Sequence, residues 1–422
     1  MNYFHYVDDE FWCEDVPIAK IAADVGTPFY LYSYKTLNQH FRVFDESFAD
    51  LPHIICFAVK ANSNIAVLRT FSLLGGGMDI VSGGELYRAL KAEVDPRKIV
   101  YSGVGKKIDE IEYALASNIL LFNVESIQEL EVINVCAGKM GKKAGIALRV
   151  NPDVNAETHP HITTGLKENK FGIDVETAIS QYRLAKTLNN IEIIGVSCHI
   201  GSQVTKISPF LDAFENLKKF ISRLHKEGIS VKYLDLGGGL GIQYNKEEPP
   251  HPSEYASALI AAKDELNCTF IFEPGRVIVG NAGILVTRVL YTKANPNKNF
   301  VIIDAAMNDL VRPSFYNSYH HIQPVIKKRQ DEFIADVVGP ICESGDYLAK
   351  DRRLPRFEPG DLMAVMSAGA YGFSMSSNYN SRPRVAEVMV SNDRYHVIRK
   401  RENYADLIRG EEAPDFVAHL DD

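Results

Sequence analysis

Eight short runs rich in Val, Ile and Phe, most of them followed by a polar loop and a helix-period stretch, restrict the fold of this chain more than any other feature. They fall at residues 54–60, 78–82, 98–102, 119–124, 145–151, 193–200, 231–236 and 269–273. Repeated β-then-α units build a parallel sheet, because parallel strands need a long crossover and its helix packs back onto the sheet. Eight units of this kind fit a closed (β/α)8 barrel of the TIM type. The intervening segments carry the stripes such helices need: Ile108, Ile111 and Leu115 share one face, as do Phe214, Leu217, Ile221 and Leu224. Pro249, Pro250 and Pro252 read as a loop after the seventh strand rather than as a linker.

Beyond about residue 277 the pattern changes to strand-like runs separated by turns: V-T-R-V-L-Y, F-V-I-I-D, F-I-A-D-V-V-G, L-M-A-V-M and Y-H-V-I-R. The expectation is a barrel over 26–276 and a mostly β domain, a sandwich or Greek-key-like fold, made from 277–422 with residues 1–25 added to it. A length of 422 residues with 46% apolar side chains suits two packed domains. The net charge of −8 is spread along the chain, which argues against nucleic acid and anionic membrane surfaces as partners. The acidic, aromatic opening M-N-Y-F-H-Y-V-D-D-E does not resemble a signal peptide, and no apolar run approaches the roughly 20 residues of a membrane span. Cys13, Cys56, Cys136, Cys198, Cys268 and Cys342 lack zinc or redox spacing, as expected of reduced thiols in a cytoplasmic enzyme.

In a βα barrel the chemistry sits at the C-terminal strand ends, and a phosphate site commonly forms after strands seven and eight. Strand seven runs into L-D-L-G-G-G-L-G-I, where Gly237, Gly238, Gly239 and Gly241 would let backbone N–H groups approach a phosphate. Such a cluster also serves as a plain tight turn, so its position carries the reading. Strand eight ends in F-E-P-G-R, placing Glu273, Gly275 and Arg276 at the same mouth. Lys60 ends strand one in C-F-A-V-K-A-N, where desolvation would lower the pKa of its amine and favour a Schiff base. Alone it would be a lysine snorkelling from a strand end. In S-C-H-I-G-S-Q after strand six, His199 could stack on a flat cofactor and Ser202 could reach a phosphate. The pairs His159/His161 and His320/His321 lack carboxylate or cysteine neighbours at metal spacing, so no metal is expected.

These motifs resemble those of the alanine-racemase-like, fold-type III pyridoxal-phosphate decarboxylases. Four further segments narrow the resemblance to the diaminopimelate decarboxylase family: H-P-H-I-T-T-G-L-K-E-N-K-F-G (159–172), D-A-A-M-N-D-L-V-R-P-S-F-Y (304–316), G-P-I-C-E-S-G-D (339–346) and S-A-G-A-Y-G-F-S-M-S-S-N-Y-N-S-R-P-R (367–384). The resemblance covers nearly the whole chain. It implies a pyridoxal 5'-phosphate enzyme that converts meso-2,6-diaminopimelate to L-lysine and carbon dioxide, and a homodimer whose active sites are completed by the neighbouring subunit. It also implies roles: Lys60 as the covalent anchor; His199 on the ring; Ser202, Gly238, Gly239 and the Glu273–Gly275–Arg276 loop on phosphate and ring nitrogen. Arg276, Arg312, Tyr316, Glu343 and Tyr371 would bind substrate or cofactor, and Cys342 would lie near the reacting carbon. Ala306 stands where the family usually has Gly, and His161 where Tyr is common.

Loss of carbon dioxide leaves a carbanion for which the protonated ring is the sink, and a carboxylate such as Glu273 beside the ring nitrogen favours that protonation. An arginine there would suit racemisation instead. A substrate ending in both a carboxylate and an ammonium needs cationic and acidic partners together, which Arg312, Arg276 and Glu343 supply. Two alternatives remain: a related decarboxylase acting on ornithine, arginine or carboxynorspermidine, and a non-catalytic homologue. Arg312 with Glu343 argues against the first, and Lys60, Glu273 and Cys342 together argue against the second.

Overall fold

The computed structural model describes residues 2–154, 170–263, 266–328 and 331–418. It divides into two compact units, one of Met1–Tyr3, Ser33–Gly283 and Ser367–Ser374, the other of Phe4–Tyr32, Ile284–Met366 and Met375–Asp422.

The first unit holds the barrel. Its strands are β1 (His53–Ala58), β2 (Gly77–Ile80), β3 (Ile99–Tyr101), β4 (Leu121–Val124), β5 (Ala144–Asn151), β6 (Ile191–Ser197), β7 (Tyr233–Asp235) and β8 (Thr269–Phe272). Each of the eight expected runs overlaps one of them, with ends shifted by up to three residues. All neighbours pair in parallel, and Phe270 opposite His53 joins β8 to β1, so no strand edge is left open. A buried cluster of Cys56, Val100, Leu121, Ala147, Ile194 and Ile271 draws one residue from each of six strands. Residues from so many strands can meet only inside the closed sheet.

The strand-to-helix turns are capped by side chains that orient the barrel mouth. Ser82 accepts from the Glu85 N–H (3.2 Å) while Glu85 Oε2 accepts from the Val81 N–H (2.8 Å). Ser126 and Glu129 repeat the device after β4. Each satisfies backbone donors that a helix start would otherwise leave open. The helix Ser208–Lys226 starts with Pro209 in its first turn and buries Phe210, Phe214, Leu217, Phe220, Ile221 and Leu224 along one stripe.

The second unit is mostly sheet. Strands Tyr347–Pro355, Glu332–Val338, Asn299–Ile303, Gly283–Ala294, Phe29–Ser33, Ala386–Ser391 and Arg394–Arg399 follow one another in space, and Leu362–Val365 pairs with both Gly283–Ala294 and Ile322–Pro324. The segment Phe4–Tyr32 belongs here. Phe4, Phe11, Ile18, Ile21, Phe29 and Leu31 share one buried cluster with Ile284, Val286, Val388 and Val390.

Candidate active site

Lys60 sits in the single turn Val59–Ala61 that caps β1, and its Nζ lies 2.6 Å from Oδ2 of Asp79, a fully buried residue of β2. Burial alone would lower the lysine's affinity for its proton. The Asp79 carboxylate, with Glu273 and Tyr371 beyond it, reverses that and raises the pKa above the ordinary lysine range. The expected free amine is therefore an ammonium ion in this arrangement, because strand pairing places a carboxylate next to it.

Lys60, Ala58, His199, Ser202, Gly239, Glu273, Gly275, Arg276 and Tyr371 line one cavity at the C-terminal ends of the strands. The glycine turn behaves differently from the sequence expectation. The N–H of Gly237 is committed to Asp235 Oδ1 (2.9 Å), that of Gly238 to His199 Nδ1 (3.2 Å) and that of Gly241 to the Val204 carbonyl (3.0 Å). Of the four glycines, Gly239 is the one on the cavity wall. Its φ of +112° and the 2.5 Å that would separate an added Cβ from the Gly201 carbonyl leave no room for another residue. A Cβ on Gly238 would stand 2.2 Å from the Glu273 carbonyl, so this glycine brings β7 and β8 together without lining the cavity.

Arg276 is buried, with Nη1 donating to Tyr244 Oη (2.7 Å), Nη2 donating to Ser202 Oγ (2.9 Å) and the guanidinium 4.9 Å from the Tyr371 ring. Tyr371 takes a left-handed backbone (φ +55°) and is held by its N–H on the Ala61 carbonyl at 2.8 Å, next to Lys60. Burial, then the positive charges of Arg149 and Lys60, hold the His199 pKa well below the usual histidine range. Its ring is therefore neutral, and Nδ1 accepts from Gly238.

Glu273 on the cavity wall belongs to a buried carboxyl cluster whose other members, Asp235 and Asp79, the motif reading missed. Glu273, Asp235 and Asp79 are 7%, 1% and 0% exposed. Asn123 Nδ2 donates to Asp235 Oδ2 at 2.8 Å and approaches Glu273 Oε1 at 3.3 Å, as does Ser102 Oγ. Burial pushes Asp235 up to about 6, and burial with the Asp235 charge pushes Glu273 well above the usual carboxyl range. A signal existed: Asp79 and Asp235 are acids inside otherwise apolar strands, at the end where barrel chemistry is found.

The remaining expected residues lie in the second unit. Arg312, 5% exposed, opens the helix Arg312–Tyr316; its Nε meets His320 Nε2 at 3.4 Å, and its guanidinium lies 5.9 Å from the Tyr316 ring. Glu343 Oε2 accepts from Tyr379 Oη (2.7 Å), and the exposed Cys342 donates its N–H to Asn380 Oδ1 (2.9 Å). Asp346 ties two family motifs together, accepting from the Met307 and Ile341 N–H groups at 2.7 Å each. Ala306 is buried and donates its N–H to Asp309 Oδ2 at 3.0 Å. His159 and His161 lie outside the described residues. Among the described residues no helix is long and apolar enough to cross a membrane.

The family model described as "Pyridoxal-dependent decarboxylase, pyridoxal binding domain" matches residues 34–280. The chain is 52% identical over 409 residues to a diaminopimelate decarboxylase of Vibrio cholerae, covering 96% of this chain and 98% of that one. A solved diaminopimelate decarboxylase of Helicobacter pylori, complexed with L-lysine, is 45% identical with a TM-score of 0.90, over 93% of this chain and 98% of that one. One from M. jannaschii, in co-complex with L-lysine, is 40% identical with a TM-score of 0.93, over 98% of both chains.

The neutrality of His199 is open to measurement. An unfolded histidine gains a proton below about pH 6.5. The buried ring does not, so stability contributed by His199 falls as pH drops through that value. Nitrogen NMR of the folded protein should find the His199 imidazole neutral at pH 6; a titration midpoint near the unperturbed value would contradict the burial and charge argument.

Proposed function

Because this chain belongs to the diaminopimelate decarboxylase family of pyridoxal-dependent decarboxylases, we infer that it converts meso-2,6-diaminopimelate to L-lysine and carbon dioxide, the last step of lysine biosynthesis. The observation that carries this reading is one cavity holding a lysine amine, a neutral imidazole ring, a buried carboxyl and a Gly239–Ser202–Arg276 wall.

Those groups fit pyridoxal 5'-phosphate. Gly239, Ser202, Gly275 and Arg276 form a small-residue and cationic wall suited to a phosphate. His199, neutral and flat, suits the face of the ring, and Gly238 fixes its orientation. Glu273 suits the ring nitrogen, and Lys60 the covalent link. When bound, the cofactor supplies the electron sink for the carbanion that loss of carbon dioxide leaves. Lys60 must first give up a proton, and Asp79 at 2.6 Å is the base beside it. Tyr371, stacked against Arg276, closes the cavity near both.

The distal end of the substrate carries a carboxylate and an ammonium. Arg312 and Tyr316 would take the first and Glu343 the second, with Cys342 beside the reacting carbon. Support comes from chemistry: a buried guanidinium beside a tyrosine, and a carboxylate whose neighbour Tyr379 is neutral and hydrogen-bonded to it. The protein acts as a homodimer in which Cys342 and Glu343 complete the site of the partner, and its setting is the cytoplasm, which suits six free thiols.

Incubation of the holoenzyme with meso-diaminopimelate, ornithine and arginine, followed by carbon dioxide release, tests the assignment. Release from diaminopimelate alone is expected; faster release from ornithine would move the chain to another decarboxylase class. Arg312→Ala should weaken diaminopimelate binding by about 3 kcal/mol, on the order of a hundredfold, because it leaves a buried carboxylate unpaired. Inhibition by lysine, which lacks that carboxylate, should change far less, and equal losses would remove Arg312 from the distal site. Lys60→Ala and Glu343→Ala homodimers should each be nearly inactive, yet refolding them together should return roughly a quarter of the wild-type activity, since random pairing makes about half the dimers mixed and each has one intact site. No recovery, with subunit exchange confirmed by a mass label, would place Glu343 in its own chain's site.

A further inference from the structure

Three buried carboxyl groups, Asp79, Asp235 and Glu273, the last of them on the cavity wall, stand together with Lys60 as the adjacent cation. Three negative charges against one positive charge cannot all be kept ionised at such burial, so the cluster must retain a proton. The hydrogen bonds decide where. Asp235 has a donor on each oxygen, the Gly237 N–H on Oδ1 at 2.9 Å and Asn123 Nδ2 on Oδ2 at 2.8 Å. Among the described residues, Ser102 and Asn123 donate to Glu273 at 3.3 Å each, both on Oε1, and its remaining hydrogen bond is the one it shares with Asp235. The environment therefore favours Asp235 as the anion and Glu273 as the carboxylic acid hydrogen-bonded to it. The nearby thiols of Cys56 and Cys198 are pushed up by burial and stay neutral, so Lys60 and Asp79 are the other charges that act on the pair.

We propose that Asp235 is a positioning residue for the decarboxylation, its fixed negative charge keeping the proton that Glu273 shares with the ring nitrogen of the bound cofactor. The proposal rests on the reading that Glu273 meets that nitrogen. When the ring arrives, the Glu273 O–H bond gives way to a ring N–H bond, leaving a carboxylate paired with a pyridinium, and no proton need come from solvent. Asp235 stays ionised throughout on its two donors and holds the Glu273–ring unit in its protonated form. This agrees with the direction of both groups' shifts, in which burial comes first and the mutual interaction of the two carboxyls adds to it for Glu273. It also gives a purpose to Asn123 on β4 and Ser102 directly after β3, polar side chains 2% and 6% exposed.

The test uses holoenzyme loaded with cofactor labelled with nitrogen-15 at the ring position, whose chemical shift reports ring protonation directly. Asp235→Asn keeps the size and removes the charge. It should lower the pH midpoint of ring deprotonation by about one unit or more, a tenfold loss of proton affinity. Asn123→Ala, which withdraws the 2.8 Å donor from Asp235, should move the midpoint the same way by less. Circular dichroism and cofactor absorbance establish that each variant is folded and loaded. Midpoints unchanged in both variants, while Glu273→Gln lowers its own, would make Asp235 a merely structural residue and overturn the proposal. A midpoint that Glu273→Gln leaves unmoved would instead overturn the ring-nitrogen reading, and this proposal with it.

Discussion

Opposite charges enclosed in an apolar barrel attract strongly, but each must also place its remaining lone pairs or protons, and Asp79 leaves Oδ1 without a hydrogen-bond partner among the described residues. Its other oxygen holds the Lys60 ammonium at 2.6 Å. The arrangement of the cavity follows from this contact. It keeps the lysine charged, and it commits Glu273 and Asp235 to sharing a proton because Lys60 cannot balance three acids. Any group that draws Lys60 away must break this contact, and Asp79 is the carboxylate nearest the proton that the lysine gives up.

The barrel supplies rigidity for that exchange. Lys60, His199, Gly239 and Glu273 follow four different strands, so their spacing depends on the closed ladder and not on any one loop. Two glycines make the fit close. Gly238 lets β7 approach the Glu273 backbone, and Gly239 presents a wall with no side chain. A methyl group at either position would meet a carbonyl oxygen at 2.2 or 2.5 Å.

The eight barrel strands were legible because each is a local signal, an apolar run ended by a turn and followed by a stripe at helical spacing. Lys60, Glu273 and Arg276 were legible for the same reason, as polar residues at strand ends. What escaped the reading depends on distance in the chain. The lysine pKa was expected to fall, and it rises because Asp79, 19 residues away, is brought alongside by strand pairing. The glycine N–H groups were expected to face a phosphate, yet three are spent on Asp235, His199 and Val204, partners that only the folded barrel brings near. The segment Ser367–Ser374 joins the barrel unit through contacts such as Tyr371 to Ala61, and nothing in its local pattern separates it from the sheet on either side. Asn123 and Ser102 read as ordinary polar positions until their burial is known.

The central claim is that Lys60, released from Asp79, carries the cofactor at the mouth of the barrel. Borohydride reduction of the holoenzyme, followed by proteolysis and mass spectrometry, locates the attachment without reference to activity. The account predicts a single pyridoxyl-modified peptide, C-F-A-V-K-A-N, with the added mass on Lys60. Modification of a different lysine, with Lys60 recovered unmodified, would contradict it.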